Sequence, residues 1–193
     1  MYEFIEGRIV EKSPAHVIIE AGGIGYNINI SLNTYSKLPD KGEIRIFLHQ
    51  VIKEDAHILY GFTEREERII FRQLISVSGI GANTARLILS SLSHEEITGA
   101  ILEGDVQAFQ NIKGIGAKTA QRIIIDLRDK VGKVSKTDEL FLPQRNTVRE
   151  EALSALVSLG FTKNQVEKVL GTIMLKNPLF TVEEVIKQAL KIL

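Results

Sequence analysis

ISVSGIGANTARLIL, residues 75–89, is present twice in this chain; the second copy is QNIKGIGAKTAQRII, residues 110–124. A shift of 35 residues lays Gly79-Ile80-Gly81-Ala82 on Gly114-Ile115-Gly116-Ala117, Thr84-Ala85 on Thr119-Ala120, and Ile88 on Ile123. A repeated device calls for one physical explanation. In each copy Gly-Ile-Gly is followed at once by apolar residues at helical spacing: Ala85, Ile88, Leu89 and Leu92, then Ala120, Ile123, Ile124 and Leu127. That pattern predicts helix, tight glycine hairpin, helix. The glycines supply backbone angles barred to other residues and leave bare amides at a helix N-terminus. Such amides, on the positive end of the helix dipole, form a site for an anion such as phosphate.

Gly-x-Gly before a helix also serves as a plain connection between packed helices. The duplication favours phosphate binding, because two grips at fixed spacing suit a repeating polyphosphate such as a nucleic-acid backbone. Hairpin 1 is then Gly79, Ile80, Gly81, Asn83 and Thr84. Hairpin 2 is Gly114, Ile115, Gly116, Lys118, Thr119 and Arg122. GIGAKT resembles part of a nucleotide-binding loop, but that motif needs Gly directly before Lys, and Ala117 intervenes. ATP binding is not expected.

The 193 residues allow one to three small domains, and 44% hydrophobic content is ordinary for a globular chain. With no cysteine, disulfides and thiolate-held metals are excluded. No catalytic residue, metal site or cofactor is expected. The opening MYEFIEGRIV carries charges where a signal peptide needs an apolar core, so no membrane association and a cytoplasmic location are expected. Net charge is zero. Residues 1–62 hold six Lys/Arg against eight Asp/Glu, residues 63–133 ten against nine, and residues 147–193 six against five. DNA affinity must therefore come from a local face, and amide grips meet that requirement without net charge.

Residues 1–62 predict five short strands, FIEGRIVEK, HVIIEAG, YNINIS, EIRIFLHQVIKE and AHILYGF, split by Gly and Pro turns. They suggest a Greek-key barrel of the oligonucleotide-binding (OB) type, with Tyr26, Tyr35 and Tyr60 either core or base-stacking. Residues 63–133 predict five helices. Thr63 with Glu66 and Ser93 with Glu96 are read as capping boxes, and Asp105 as an N-cap. Residues 134–146, with Pro143 and no sustained period, read as a mobile linker, in which Leu140-Phe141-Leu142 is an apolar exception. Residues 147–193 predict three helices, with Gly160 as a left-handed cap and Thr162/Gln165 and Thr181/Glu184 as capping boxes. The chain is thus an α+β multidomain protein.

A five-stranded barrel, paired Gly-Ile-Gly hairpins, a linker and a small terminal bundle, in that order, resemble the bacterial RuvA family of Holliday-junction branch-migration subunits. The likeness spans the full length. It is carried by Tyr2–Val10, VIKEDAHILYGF at 51–62, both hairpins, and LVSLGF at 156–161. The resemblance implies a homotetramer that holds four-way junction DNA open and flat. On the same resemblance it would load the RuvB ATPase motor and join the RuvC resolvase in a larger complex. The hairpins would contact backbone phosphates without reading sequence. Glu54 and Asp55 fall on the family's acidic pin, which repels phosphates at the crossover; taken alone they are an ordinary polar turn. Leu156, Leu159 and Leu190 match the family's motor contact, though all three also fit core stripes. Relatives often carry Lys where this chain has Asn83, and a Lys pair where it has Ala117-Lys118. That leaves Lys118 and Arg122 as the main charged grips, with Arg86 secondary. A rival is a base-excision glycosylase, with Asp138 lying 22 residues after Gly116, but Asp138 falls in the linker, where no pocket for a flipped base is expected. The other alternative is a junction-blind duplex scaffold.

Overall fold

The computed structural model describes residues 2–138, 145–177 and 180–193. Strands β1 (Phe4–Lys12), β2 (His16–Ala21), β3 (Ile24–Ile30), β4 (Glu43–Ile52) and β5 (His57–Phe62) close a barrel in the order β1-β2-β3-β5-β4. Period-two alternation turns Val17 and Ile19, Ile28 and Ile30, and Ile46 and Leu48 into its core. The barrel closes through the parallel pair β3–β5, where Ile28, Asn29 and Ile30 face Leu59, Tyr60 and Gly61. A Cβ at Gly61 would lie 2.6 Å from Ile28 and 2.7 Å from Ile46, so glycine lets the core close over β5.

Helix α1 (Leu32–Lys37) bridges β3 and β4, and the sequence reading assigned nothing there. Ser31 caps it, its Oγ accepting the Thr34 N–H at 2.9 Å. The same Oγ donates to Glu67 Oε1 at 2.5 Å, and Thr34 Oγ1 donates to Glu67 Oε2 at 2.8 Å. Glu67 is thus a buried carboxyl joining the barrel to the helices.

Helices α2 (Arg65–Ile75), α3 (Ala82–Ser91), α4 (His94–Glu103), α5 (Val106–Gln110) and α6 (Ala117–Asp138) share one apolar core with Tyr60 and Phe62 of β5. Phe71 is its centre, with ring centroids 5.0 Å from both Tyr60 and Phe62. The Ser93/Glu96 box and the Asp105 cap form as expected. The Thr63/Glu66 box does not. The helix begins one residue later, with Glu64 at the cap position and no side-chain capping bond, and the Thr63 hydroxyl has no partner. The third helical position is therefore Glu67, which turns inward to α1. Arg68 is buried beside it and donates to the carbonyls of Glu3 and Leu48 at 2.8 and 3.3 Å. Its ion pair with Glu3 holds that carboxyl below the usual range.

The stretch 134–146 is not irregular throughout, because α6 runs to Asp138 and the next helix starts at Arg145. Residues 139–144, with Leu140-Phe141-Leu142, lie outside the described residues. Asp138, the residue the glycosylase reading needs, is the last of α6.

The chain forms two compact units, residues 1–137 and 138–193. In the second unit α7 (Arg145–Ser158), α8 (Lys163–Lys176) and α9 (Val182–Ala189) enclose Ala152, Leu156, Val166, Leu170, Ile173, Val185 and Ala189. Gly160, at φ 102°, ends α7, and the Phe161 N–H returns to the Leu156 carbonyl at 3.2 Å. The Thr181/Glu184 box forms. The Thr162/Gln165 box does not, because Thr162 Oγ1 donates to Gln165 Oε1 at 2.7 Å and makes no bond to a backbone amide.

Candidate nucleic-acid interface

Both Gly-Ile-Gly stretches fold alike. The Ile80 N–H donates to the Val77 carbonyl at 3.0 Å, and the Ile115 N–H to the Ile112 carbonyl at 3.1 Å, closing two β-turns. The third residues of the turns, Gly79 at φ 92° and Gly114 at φ 90°, occupy the left-handed region that a side chain disfavours. Burial repeats with the same shift: Val77, Ile80, Ala85 and Ile88 are buried, and so are Ile112, Ile115, Ala120 and Ile123. Ile80 and Ile115 are therefore anchors, and the exposed edge is glycine backbone.

Each turn leads into a helix without a side-chain cap. Gly81 is the N-cap of α3 and Gly116 directly precedes α6; the first-turn bonds run from the Ala85 N–H to the Gly81 carbonyl and from the Ala120 N–H to the Gly116 carbonyl. The amides ahead of those bonds have no intrahelical acceptor, which is the condition for anion binding. Gly79, Gly81, Gly114 and Gly116 are all exposed, and nothing lies within 4 Å of where a Cβ would stand at any of them. Thr84 and Thr119 are half-buried on the first turns.

Helix α6 ties the hairpins together. Arg122 Nη1 donates to the Ser78 carbonyl of the first turn at 3.2 Å, and Lys130 Nζ to Ser76 Oγ at 3.1 Å. Arg122 remains exposed, with further guanidinium donors. Lys118 is exposed on the first turn of α6. So is Lys113, at the tip of the second turn, which the sequence reading did not single out; its counterpart in the first copy is Ser78.

Two expected contacts are already engaged. Arg86 Nη1 donates to the Ala15 carbonyl at 3.0 Å and to Asn29 Oδ1 at 3.2 Å, so it fastens α3 to the barrel. Asn83 Oδ1 accepts the Tyr60 hydroxyl at 3.0 Å. Tyr60 is core rather than a stacking platform, and Tyr26 and Tyr35 pack against the barrel interior.

Glu54 and Asp55 are exposed at the β4–β5 turn, which closes by the Lys53 N–H donating to the Ala56 carbonyl at 2.8 Å. In the terminal bundle Leu156 is fully buried, which removes it from any surface, whereas Leu159 and Leu190 are 62% and 46% exposed. Among the described residues no cluster of three or more His, Asp or Glu could hold a metal, and no helix is long and apolar enough to cross a membrane.

Three families match successive parts of the chain: RuvA N terminal domain over residues 1–61, SAM-like helix-hairpin-helix tandem over 71–129, and RuvA C-terminal domain over 147–193. The chain is 54% identical over 191 residues to a protein of Christiangramia forsetii and 53% identical over 191 residues to one of Flavobacterium psychrophilum, covering 99% of each chain in both cases. It is 46% identical over 199 residues to one of Bacteroides fragilis, again over 99% of both chains. Each of these relatives is named Holliday junction branch migration complex subunit RuvA.

Proposed function

This chain belongs to the RuvA family, and from that membership and its paired hairpins we propose that it is the non-catalytic DNA-binding subunit of a Holliday junction branch migration complex. It recognises the four-way junction by shape and serves as the platform on which the RuvB ATPase motor acts. The observation that carries the reading is the matched pair of uncapped helix N-termini behind Gly79 and Gly114, held side by side by Arg122. Two such grips on one compact unit follow a phosphate backbone without contacting base edges, so they position the DNA and leave its sequence unread.

In this reading four copies surround the crossover with their barrels at the centre, and the turn bearing Glu54 and Asp55 repels the phosphates of separating strands. Leu159 and Leu190, being exposed, are the apolar residues offered to the motor. The RuvC resolvase would join the same assembly. Reconstitution tests the proposal. Added to the motor of the same organism with a synthetic four-way junction, the chain should stimulate ATP-dependent strand separation while hydrolysing no ATP alone. Failure to stimulate, with junction bound, would remove the motor-loading role.

A further inference from the structure

We propose that Tyr60 is a positioning residue for the first hairpin, its hydroxyl fixing the Asn83 carboxamide as a hydrogen-bond donor toward a backbone phosphate. The inference rests on the hairpin reading above and specifies how one of the two grips works.

A carboxamide carries an acceptor and a donor end of nearly equal shape, whereas a phosphate offers only acceptors. An Asn free to turn presents either end, and only the Nδ2 end can donate to the phosphate. Here Oδ1 is taken by the Tyr60 hydroxyl at 3.0 Å, and Nδ2 is left for the anion. Tyr60 suits this task because it is only 3% exposed and its ring packs on Phe71. Asn83 itself is exposed on the first turn of α3, beside the unpaired amides.

A second bond fixes the same helix. Arg86, one turn after Asn83, donates to Asn29 Oδ1, and Asn29 pairs with Tyr60 across the β3–β5 ladder. Helix α3 is thus tied through two successive side chains to one rung of the barrel. The repeat gives the contrast: the residue equivalent to Asn83 in the second copy is Lys118, which is exposed and has no side-chain hydrogen bond or ion pair to the barrel. The first hairpin therefore grips with an oriented neutral donor and the second with a charge.

Fluorescence-anisotropy titration of a labelled four-way junction, across a salt series, tests this with the full chain, Tyr60→Phe, Asn83→Ala and the double variant. Each single variant should weaken binding by about three- to tenfold, the size of one hydrogen bond to a charged group. The double variant should bind no more weakly than Asn83→Ala. The salt slope should stay unchanged in all three, because a neutral donor displaces no counterion. Full affinity in Tyr60→Phe, or an equal loss in the presence and absence of Asn83, would overturn the proposal. Asn83→Asp keeps the acceptor for Tyr60 and removes the donor, so it tests the same point should Tyr60→Phe fold poorly. It should bind at least as weakly as Asn83→Ala, and wild-type affinity would contradict the proposal. If the unaltered chain binds no DNA, the hairpin reading fails first; if it binds and the variants match it, only the role of Tyr60 fails.

Discussion

At Gly79 and Gly81 a missing side chain serves two different ends. Gly79 needs its freedom for φ 92°, with open space where a Cβ would go, so Gly79→Ala should cost about 1–2 kcal/mol through backbone strain alone. Gly81 sits at φ −86°, which any residue adopts, so Gly81→Ala should cost less than about 1 kcal/mol while its methyl crowds the amides and weakens DNA binding. Urea midpoints beside junction affinities separate the two; equal stability losses would refute the distinction. Glu67 supplies a pH signature. Burial raises its pKa, outweighing the hydroxyl bonds from Ser31 and Thr34 and the nearby Lys37, and Glu64 adds to the rise. A raised folded pKa means that its contribution to stability is complete below the ordinary glutamate value and is lost as pH rises through the folded value. Glu67→Gln should flatten that decline between the two values, measured as denaturation midpoints over a pH series. An unchanged slope would assign the decline to other groups.

Between elements, the chief consequence is that the two hairpins are equal in backbone and unequal in charge. Lys118→Ala and Lys113→Ala should each lower the slope of log affinity against log salt by about one, and Asn83→Ala should leave it unchanged. An equal slope change in Asn83→Ala would contradict the charge difference between the hairpins, because a neutral side chain releases no counterion. The backbone equality was legible in the sequence because the left-handed turn demands glycine and the buried residues recur at one spacing. The barrel was legible because its inward residues alternate. What escaped depends on partners far along the chain: Tyr60 reaches Asn83 across 23 residues and Arg86 reaches Asn29 across 57, which no local pattern encodes. Helix α1 is only six residues long and has too little length to show a period. The cap of α2 lies one residue beyond the one the sequence favours: Thr63 is the better capping residue type, yet Glu64 takes the cap position without a side-chain bond, and Glu67 at the third helical position turns inward to Ser31 and Thr34. Leu156 and Leu159 lie on one apolar stripe, yet α7 ends at Ser158, so the first is core and the second faces solvent.

Across the whole molecule these parts divide the work of a junction platform. Leu156→Ala should cost about 2–5 kcal/mol and disrupt the terminal bundle. Leu159→Ala should change stability by no more than about 0.5 kcal/mol while reducing stimulation of the motor. Loss of helix in the second variant, seen by circular dichroism, would make Leu159 a structural residue. Replacing Glu54 and Asp55 by Gln and Asn should alter the rate of branch migration more than junction affinity; equal effects on both would refute a steering role for the pin. All of this presupposes recognition of the junction by shape. The most direct test is competition for the purified chain between a synthetic four-way junction and linear duplex of equal length, without ATP or motor. The account predicts strong preference for the junction, independent of its sequence. Equal affinity for the two would contradict it and leave a duplex-binding hairpin protein.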